Sequence, residues 1–216
     1  MKIVLFGATG NVGQRILREA LERGHEVVAV VRDPERSQTP DPRVRLVRGD
    51  ATDPASVSEV VRGADAVVNA ISPRPGAHGL PAPSLTDAAH AMIAGLQETG
   101  VKRLLVVGGA GSLEVAPGVA LLDAPGFPEA YKAEALAGRD SFNVYRNESG
   151  ALDWTYLSPA AEIHPGERTG RYRTTGDQFL TDAQGKSAIS FEDYAVALVD
   201  ELERPQHVRQ RFGVAY

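Results

Sequence analysis

Apolar residues in this chain gather into short unbroken runs, and between the runs they recur every three or four positions. Ile3 to Phe6 form the first run. Such runs suit parallel strands covered on both faces, because alternation is required only of a strand with one face in water. Val27 to Val31 form a second run; Val44, Leu46 and Val47 read as a short third strand, Ala64 to Ala70 with Val67 and Val68 as a fourth, the run Leu104 to Val107 as a fifth, and Asp153 to Leu157 as a sixth. Helical periodicity fills the gaps. Val12, Ile16, Leu17, Ala20 and Leu21 share one face, with Gly24 where a left-handed cap belongs. Asp53 followed by Pro54 reads as an N-cap with proline at the first helical position. Ser84 opens a helix whose stripe is Leu85, Ala88, Ala89, Met92, Ile93 and Leu96, closed by Gly100. Further helices are expected from Glu129 to about Arg146 and, capped by Ser190, from Phe191 to Leu202. The runs Pro73 to Pro83 and Pro117 to Pro128 read as loops, Gly170 to Ile189 as a strand-and-turn excursion, and Phe212 to Tyr216 as a last strand. The strand–helix alternation predicts an α/β, Rossmann-type doubly wound parallel sheet. Its 216 residues suit one domain, 1–216, with a small C-terminal strand-and-helix extension.

The first run leads into Gly7, Gly10 and Gly13, spaced G-x-x-G-x-x-G. If a dinucleotide sits here, Gly7 permits the tight turn, Gly10 lets the backbone approach the pyrophosphate, and Gly13 lets the helix pack closely. The first helical turn, Asn11 and Val12, offers unpaired donors and the positive end of the macrodipole to an anion. A strand before the glycines and a helix after them are the context that gives the motif weight; the alternative is a glycine-rich turn without a ligand. The second run ends at Arg32-Asp33, with Arg36 close behind. An acidic residue at this position accepts from a free ribose 2′-hydroxyl, whereas an arginine accommodates a 2′-phosphate. Arg32 therefore favours NADP, and Asp33 keeps NAD possible; a solvated charged turn is the alternative for the arginines. Asp50 stands at the carboxyl end of the third strand, the edge where ligands bind in open sheets, and could take the adenine amino group or close a turn. Gly108 to Ser112 form a second glycine cluster at that edge, where small residues make room for the nicotinamide side and Ser112 supplies the cluster's hydroxyl.

Charge and cysteine content narrow the partners. With 23 basic and 28 acidic residues, a net charge of -5 and no basic block, the chain suggests a small-molecule ligand rather than nucleic acid. The lack of cysteine excludes disulfide and thiolate chemistry and is compatible with a reducing cytosol. No apolar run approaches the roughly 20 residues of a membrane helix, and the N-terminus lacks the pattern of a signal peptide, so a cytoplasmic protein is expected. The five histidines are scattered without ligand spacing, so no metal site is expected.

Through GATGNVG, VVRDP, GDATDP, LLVVGGAGS, DWTYLSPA, PGERTGRYR and ISFEDYAVALVDELE, the chain resembles the atypical short-chain dehydrogenase/reductase group with an NAD(P)-binding, NmrA-like Rossmann domain. Within that group it resembles the bacterial proteins named NADH-flavin reductases and the biliverdin-IXβ/flavin reductase branch, over nearly its whole length. The resemblance implies that Gly7, Thr9, Gly10, Asn11 and Val12 hold the pyrophosphate, Arg32 the ribose end, and Asp50 with Ala51 the adenine. Asn69, Ala70, Ile71, Gly108, Gly109 and Pro159 would line the rest of the cofactor. One departure bears on catalysis. Typical members of the superfamily carry Y-x-x-x-K, whose lysine lowers the tyrosine pKa for acid catalysis. Here Tyr131 is followed four residues later by Ala135, and Lys132 is an adjacent residue that does not share its face. Hydride transfer without that pair suits flavins and quinones, which accept hydride readily and draw a proton from water. Ser112, Tyr131 and His164 are the candidates for shaping the acceptor pocket, with packing the alternative for Tyr131 and a solvated loop for His164. The expectation is an NADPH-dependent reductase of a flavin- or quinone-like acceptor, a monomer or homodimer. The alternative is a non-enzymatic NADP(H)-binding redox sensor of NmrA type.

Overall fold

Strands that carry unbroken apolar runs are buried on both faces. The structure, a computed structural model, describes residues 1–35, 37, 41–74 and 82–216; Arg36 and residues 75–81 of the expected loop lie outside them. β1 (Lys2–Phe6), α1 (Asn11–Glu22), β2 (Glu26–Val31), β3 (Arg45–Arg48), α2 (Pro54–Val61), β4 (Ala66–Asn69), α3 (Leu85–Thr99) and β5 (Arg103–Val107) follow one another as the sequence predicts. β6 (Glu114–Ala116), β7 (Val119–Ala120), α4 (Glu129–Glu148), β8 (Asp153–Ser158), β9 (Glu162–His164), β10 (Arg173–Thr175), β11 (Ala188–Ser190), α5 (Phe191–Glu203) and β12 (Gln210–Ala215) complete the chain. Among the described residues the main sheet has the order β10-β12-β8-β5-β4-β1-β2-β3, with β10 antiparallel and the other pairs parallel. The order reverses at β1, which pairs with β2 on one side and β4 on the other. A crevice therefore opens beyond the carboxyl ends of β1 and β4, the usual ligand position in open α/β sheets.

Two cores explain the unbroken runs. Ile3 and Leu5 of β1 pack on the α1 and α5 side with Ile16, Leu17, Tyr194 and Leu198, while Val4 and Phe6 pack on the opposite side with Val57, Met92, Leu96 and Tyr145. The C-terminal strand and helix join this framework: β12 lies parallel beside β8, and α5 packs on α1. Caps fall where the sequence puts them. Asp53 accepts from Ala55 N, Ser84 from Asp87 N and Ser190 from Asp193 N, and Gly100 closes α3 at φ +74°. The stretch Pro117 to Pro128 departs from the loop expectation, because it holds β7 and a short 3-10 turn, Leu121–Asp123. Strands of two or three residues are too short to show periodicity.

The excursion between β9 and α5 is fastened to the sheet. Asp193, fully buried, accepts from Thr169 N at 2.8 Å, Thr169 Oγ1 at 2.6 Å and Gly170 N at 2.7 Å. Arg168 donates to both oxygens of Glu19 on α1, at 2.6 and 2.8 Å, and this pairing holds the Glu19 carboxyl below its ordinary range.

Candidate dinucleotide-binding site

The three glycines do three different jobs. Gly7 leaves β1 at φ +80°, and a Cβ there would stand 2.4 Å from the Ala70 carbonyl oxygen, so the turn touches the end of β4 backbone to backbone. At Gly13 a Cβ would come within 2.1 Å of Gly7 O. The close approach is thus of helix to turn. Gly10 is open: its N–H closes on Gly7 O at 3.0 Å, and a Cβ would meet nothing nearer than that oxygen, at 3.4 Å. Gly10 caps α1 without a side-chain bond, and the helical ladder starts with Gln14 N to Gly10 O at 2.9 Å. The N–H groups of the first turn are left for an anion, whose charge the helix dipole also favours. These free donors and the open space beside Gly10 fit a phosphate group in charge and in room.

A cleft of about 1060 Å³ surrounds it. Of the residues expected at the cofactor, Gly7, Thr9, Gly10, Asn11, Val12, Arg32, Asp50, Ala51, Ala70 and Ile71 line this cleft, together with Asp33. Asp50 closes its own turn, with Oδ1 accepting from Thr52 N at 2.9 Å and Thr52 Oγ1 at 2.7 Å. Asp33 does likewise through Glu35 N at 3.2 Å. Asn69, Gly108, Gly109 and Pro159 lie outside the lining. Asn69 is buried; its Nδ2 donates to the Tyr145 hydroxyl at 3.1 Å, and its Oδ1 accepts from Ile71 N at 3.2 Å. Its geometry braces the turn after β4.

The second glycine cluster is shaped by aromatic packing. A Cβ on Gly108 would stand 2.1 Å from Tyr156 Cε1, whereas Gly109 has nothing within 4 Å. Burial pushes the Tyr156 phenol up to about 12, and its hydroxyl donates to Gly138 O at 3.0 Å. Burial raises the Tyr145 phenol as well. Pro159 is buried at the end of β8. A Cβ on Gly111 would come within 2.6 Å of Ala135 Cβ, so α4 touches the turn where the Y-x-x-x-K pattern has its lysine.

Ser112, Tyr131 and His164 are not brought together in the cleft lining. Ser112 Oγ accepts from Arg211 Nη1 at 2.9 Å. Tyr131 is 57% exposed in the first turn of α4. His164 is exposed, and its Nδ1 lies 3.0 Å from Pro165 O. The cleft has further walls that the sequence reading missed: Arg74, Glu134, Ile163 and Phe191. Arg74 and Glu134 form a two-pronged ion pair with contacts of 2.9 to 3.2 Å. Glu134 follows Tyr131 by three positions, a helical spacing that could have drawn attention to it. Among the described residues no group of three or more His, Asp or Glu could hold a metal ion, and no helix is long and apolar enough to cross a membrane.

Residues 7–205 match the model of a family described as NAD(P)H-binding. The chain belongs to this family. Three solved structures are similar to it along its whole length. A protein of Burkholderia pseudomallei, provisionally named an exported protein, is 47% identical with a TM-score of 0.89, covering 100% of both chains. One of Bacteroides thetaiotaomicron, provisionally named an epimerase, is 42% identical with a TM-score of 0.88, covering 100% of this chain and 96% of that one. A third, from Streptococcus pneumoniae TIGR4 and provisionally named an NADH-flavin reductase, is 35% identical with a TM-score of 0.84, covering 100% and 99%. The names differ, while the NAD(P)H-binding family's fold is common to all three.

Proposed function

We propose that the protein is an NADPH-dependent reductase that passes hydride to a flavin- or quinone-like acceptor. The observation that carries the reading is that, among the described residues, no tyrosine–lysine acid pair stands beside the dinucleotide cleft. Tyr131 stands in solvent with Ala135 in the place of its lysine, while burial makes the Tyr145 and Tyr156 phenols weaker acids and their hydroxyls are engaged with Asn69 Nδ2 and Gly138 O. An acceptor that takes its proton from water needs none. The bound dinucleotide supplies the hydride, while the chain supplies the phosphate cradle and the orientation. Arg32 at the ribose end supports the phosphorylated cofactor, and Asp33 is engaged in its own turn. The name of the streptococcal relative agrees with this acceptor class.

Purified protein should oxidise NADPH, followed by absorbance, with FMN, riboflavin or menadione well above the rate without enzyme. Absence of turnover across this panel, with NADPH and NADP⁺ binding at different affinities, would instead support a redox sensor, since a ligand shifts an equilibrium only by its differential affinity. Arg32→Ala should weaken NADPH by roughly 1.5–3 kcal/mol, the range for hydrogen bonds to charged groups, and leave NADH almost unchanged. Calorimetric titration with both cofactors checks this, and equal weakening would remove the 2′-phosphate role.

A further inference from the structure

Arg211 leaves β12 opposite Tyr156 of β8, and its side chain is 5% exposed. A guanidinium keeps its charge, so burying it is costly unless its donors find acceptors. Nε donates to Asp177 Oδ1 at 2.7 Å, and Nη1 donates to both Ser112 O and Ser112 Oγ at 2.9 Å. The guanidinium also lies over the Phe142 ring, with Cζ 4.4 Å from its centroid. Asp177 is tied to the same region through its backbone, since Glu114 N donates to Asp177 O at 2.8 Å. One buried cation therefore fixes the end of the Gly108–Ser112 turn from behind.

This constrains the direction of a proton. A serine hydroxyl has one hydrogen and two acceptor lone pairs. Arg211 occupies a lone pair on Oγ and has no lone pair to offer in return, so the Ser112 hydrogen is turned away from Arg211 and is free to be donated elsewhere. A hydrogen bond received from a cation also makes the hydroxyl a stronger donor. Ser112 is half-buried at the carboxyl edge of the sheet, just past β5 and outside the lining of the dinucleotide cleft, where an acceptor rather than the dinucleotide would meet it.

We propose that Arg211 is a positioning residue that holds Ser112 as a one-way hydrogen-bond donor toward the oxygen or ring nitrogen of the acceptor. The inference rests on the reductase reading. Hydride passes from NADPH to the acceptor, which leaves NADP⁺, and the acceptor heteroatom that gains negative charge takes its proton from water. Ser112 keeps its own proton and contributes a hydrogen bond that strengthens as the charge grows.

A double-mutant cycle tests this with two readouts, the rate of NADPH oxidation with FMN and the quenching of FMN fluorescence in the presence of NADP⁺. Ser112→Ala should lower kcat about tenfold, the worth of one ordinary hydrogen bond, with KM for NADPH unchanged. Arg211→Lys keeps the charge but cannot reach Asp177 and Ser112 together, and should produce a similar loss. In the Ser112→Ala background it should change neither kcat nor FMN affinity by more than about twofold. A purely structural arginine would lower thermal stability and activity equally in both backgrounds, which would overturn the proposal. Turnover without coupling removes the Arg211 role alone. Coupled FMN binding without turnover removes the reductase reading and keeps the Arg211–Ser112 device, and the lack of both overturns the two together.

Discussion

Gly10→Val is expected to abolish NADPH binding while the apo protein unfolds within a few degrees of the wild type. Gly10 has φ -75° and ψ 166°, extended backbone that valine adopts readily, and a Cβ there meets nothing closer than Gly7 O at 3.4 Å. Valine is a poorer N-cap than glycine, so a loss of up to about 1 kcal/mol is expected. In a domain of this size that lowers the melting temperature by roughly 2–4 °C. The branched methyls, however, project into the space that the pyrophosphate needs. Backbone N–H contacts to the phosphates cannot form at that distance, and affinity should fall by about a hundredfold or more, roughly 2.7 kcal/mol. Titration calorimetry with NADPH and scanning calorimetry of the apo protein separate the two effects. Retained affinity would mean that the cradle beside Gly10 does not receive the phosphates.

What could be read in advance follows from the range of the interactions. The first strand, its glycine turn and the helix that follows are local, and so are the caps at Asp53, Ser84 and Ser190; residues within a few positions of one another decide them. The placement of β12 between β8 and β10 is a pairing between distant segments, and no periodicity within Phe212 to Tyr216 specifies it. β6, β7, β9, β10 and β11 are two or three residues long, too short for a period of two to stand out. The site divides in the same way. The phosphate cradle is contiguous in sequence, but the Arg74–Glu134 pair joins residues 60 positions apart. The family resemblance puts Asn69 beside the cofactor, whereas the fold engages its carboxamide with the Tyr145 hydroxyl and Ile71 N, contacts that span 76 and 2 positions. Ser112 was visible as a hydroxyl, whereas the arginine that orients it lies 99 positions away.

Gly13→Ala should differ from Gly10→Val in destabilising the fold itself as well as weakening the cleft. Intrinsic propensity favours alanine in a helix by about 1 kcal/mol, so on local grounds the substitution should stabilise. Packing reverses the sign. The new Cβ would lie 2.1 Å from Gly7 O, 2.9 Å from Gly7 C and 3.1 Å from Ala8 Cα, all backbone atoms that no side-chain rotation can move. Nor can the turn retreat easily, because Gly7 already lies against the Ala70 carbonyl, where its own Cβ would be 2.4 Å away. Relief requires lifting α1, which loosens Ile16 and Leu17 from Ile3 and Leu5 in the buried core. Overpacking of this kind costs about 1–3 kcal/mol and more where the neighbours are rigid. A net loss of about 3 kcal/mol should lower the melting temperature by roughly 6–12 °C. NADPH affinity should fall as well, since the displaced turn carries the cradle. Scanning calorimetry of the apo variant decides the matter: a melting temperature equal to or above that of the wild type would show that the helix–turn contact yields and that glycine is not required there.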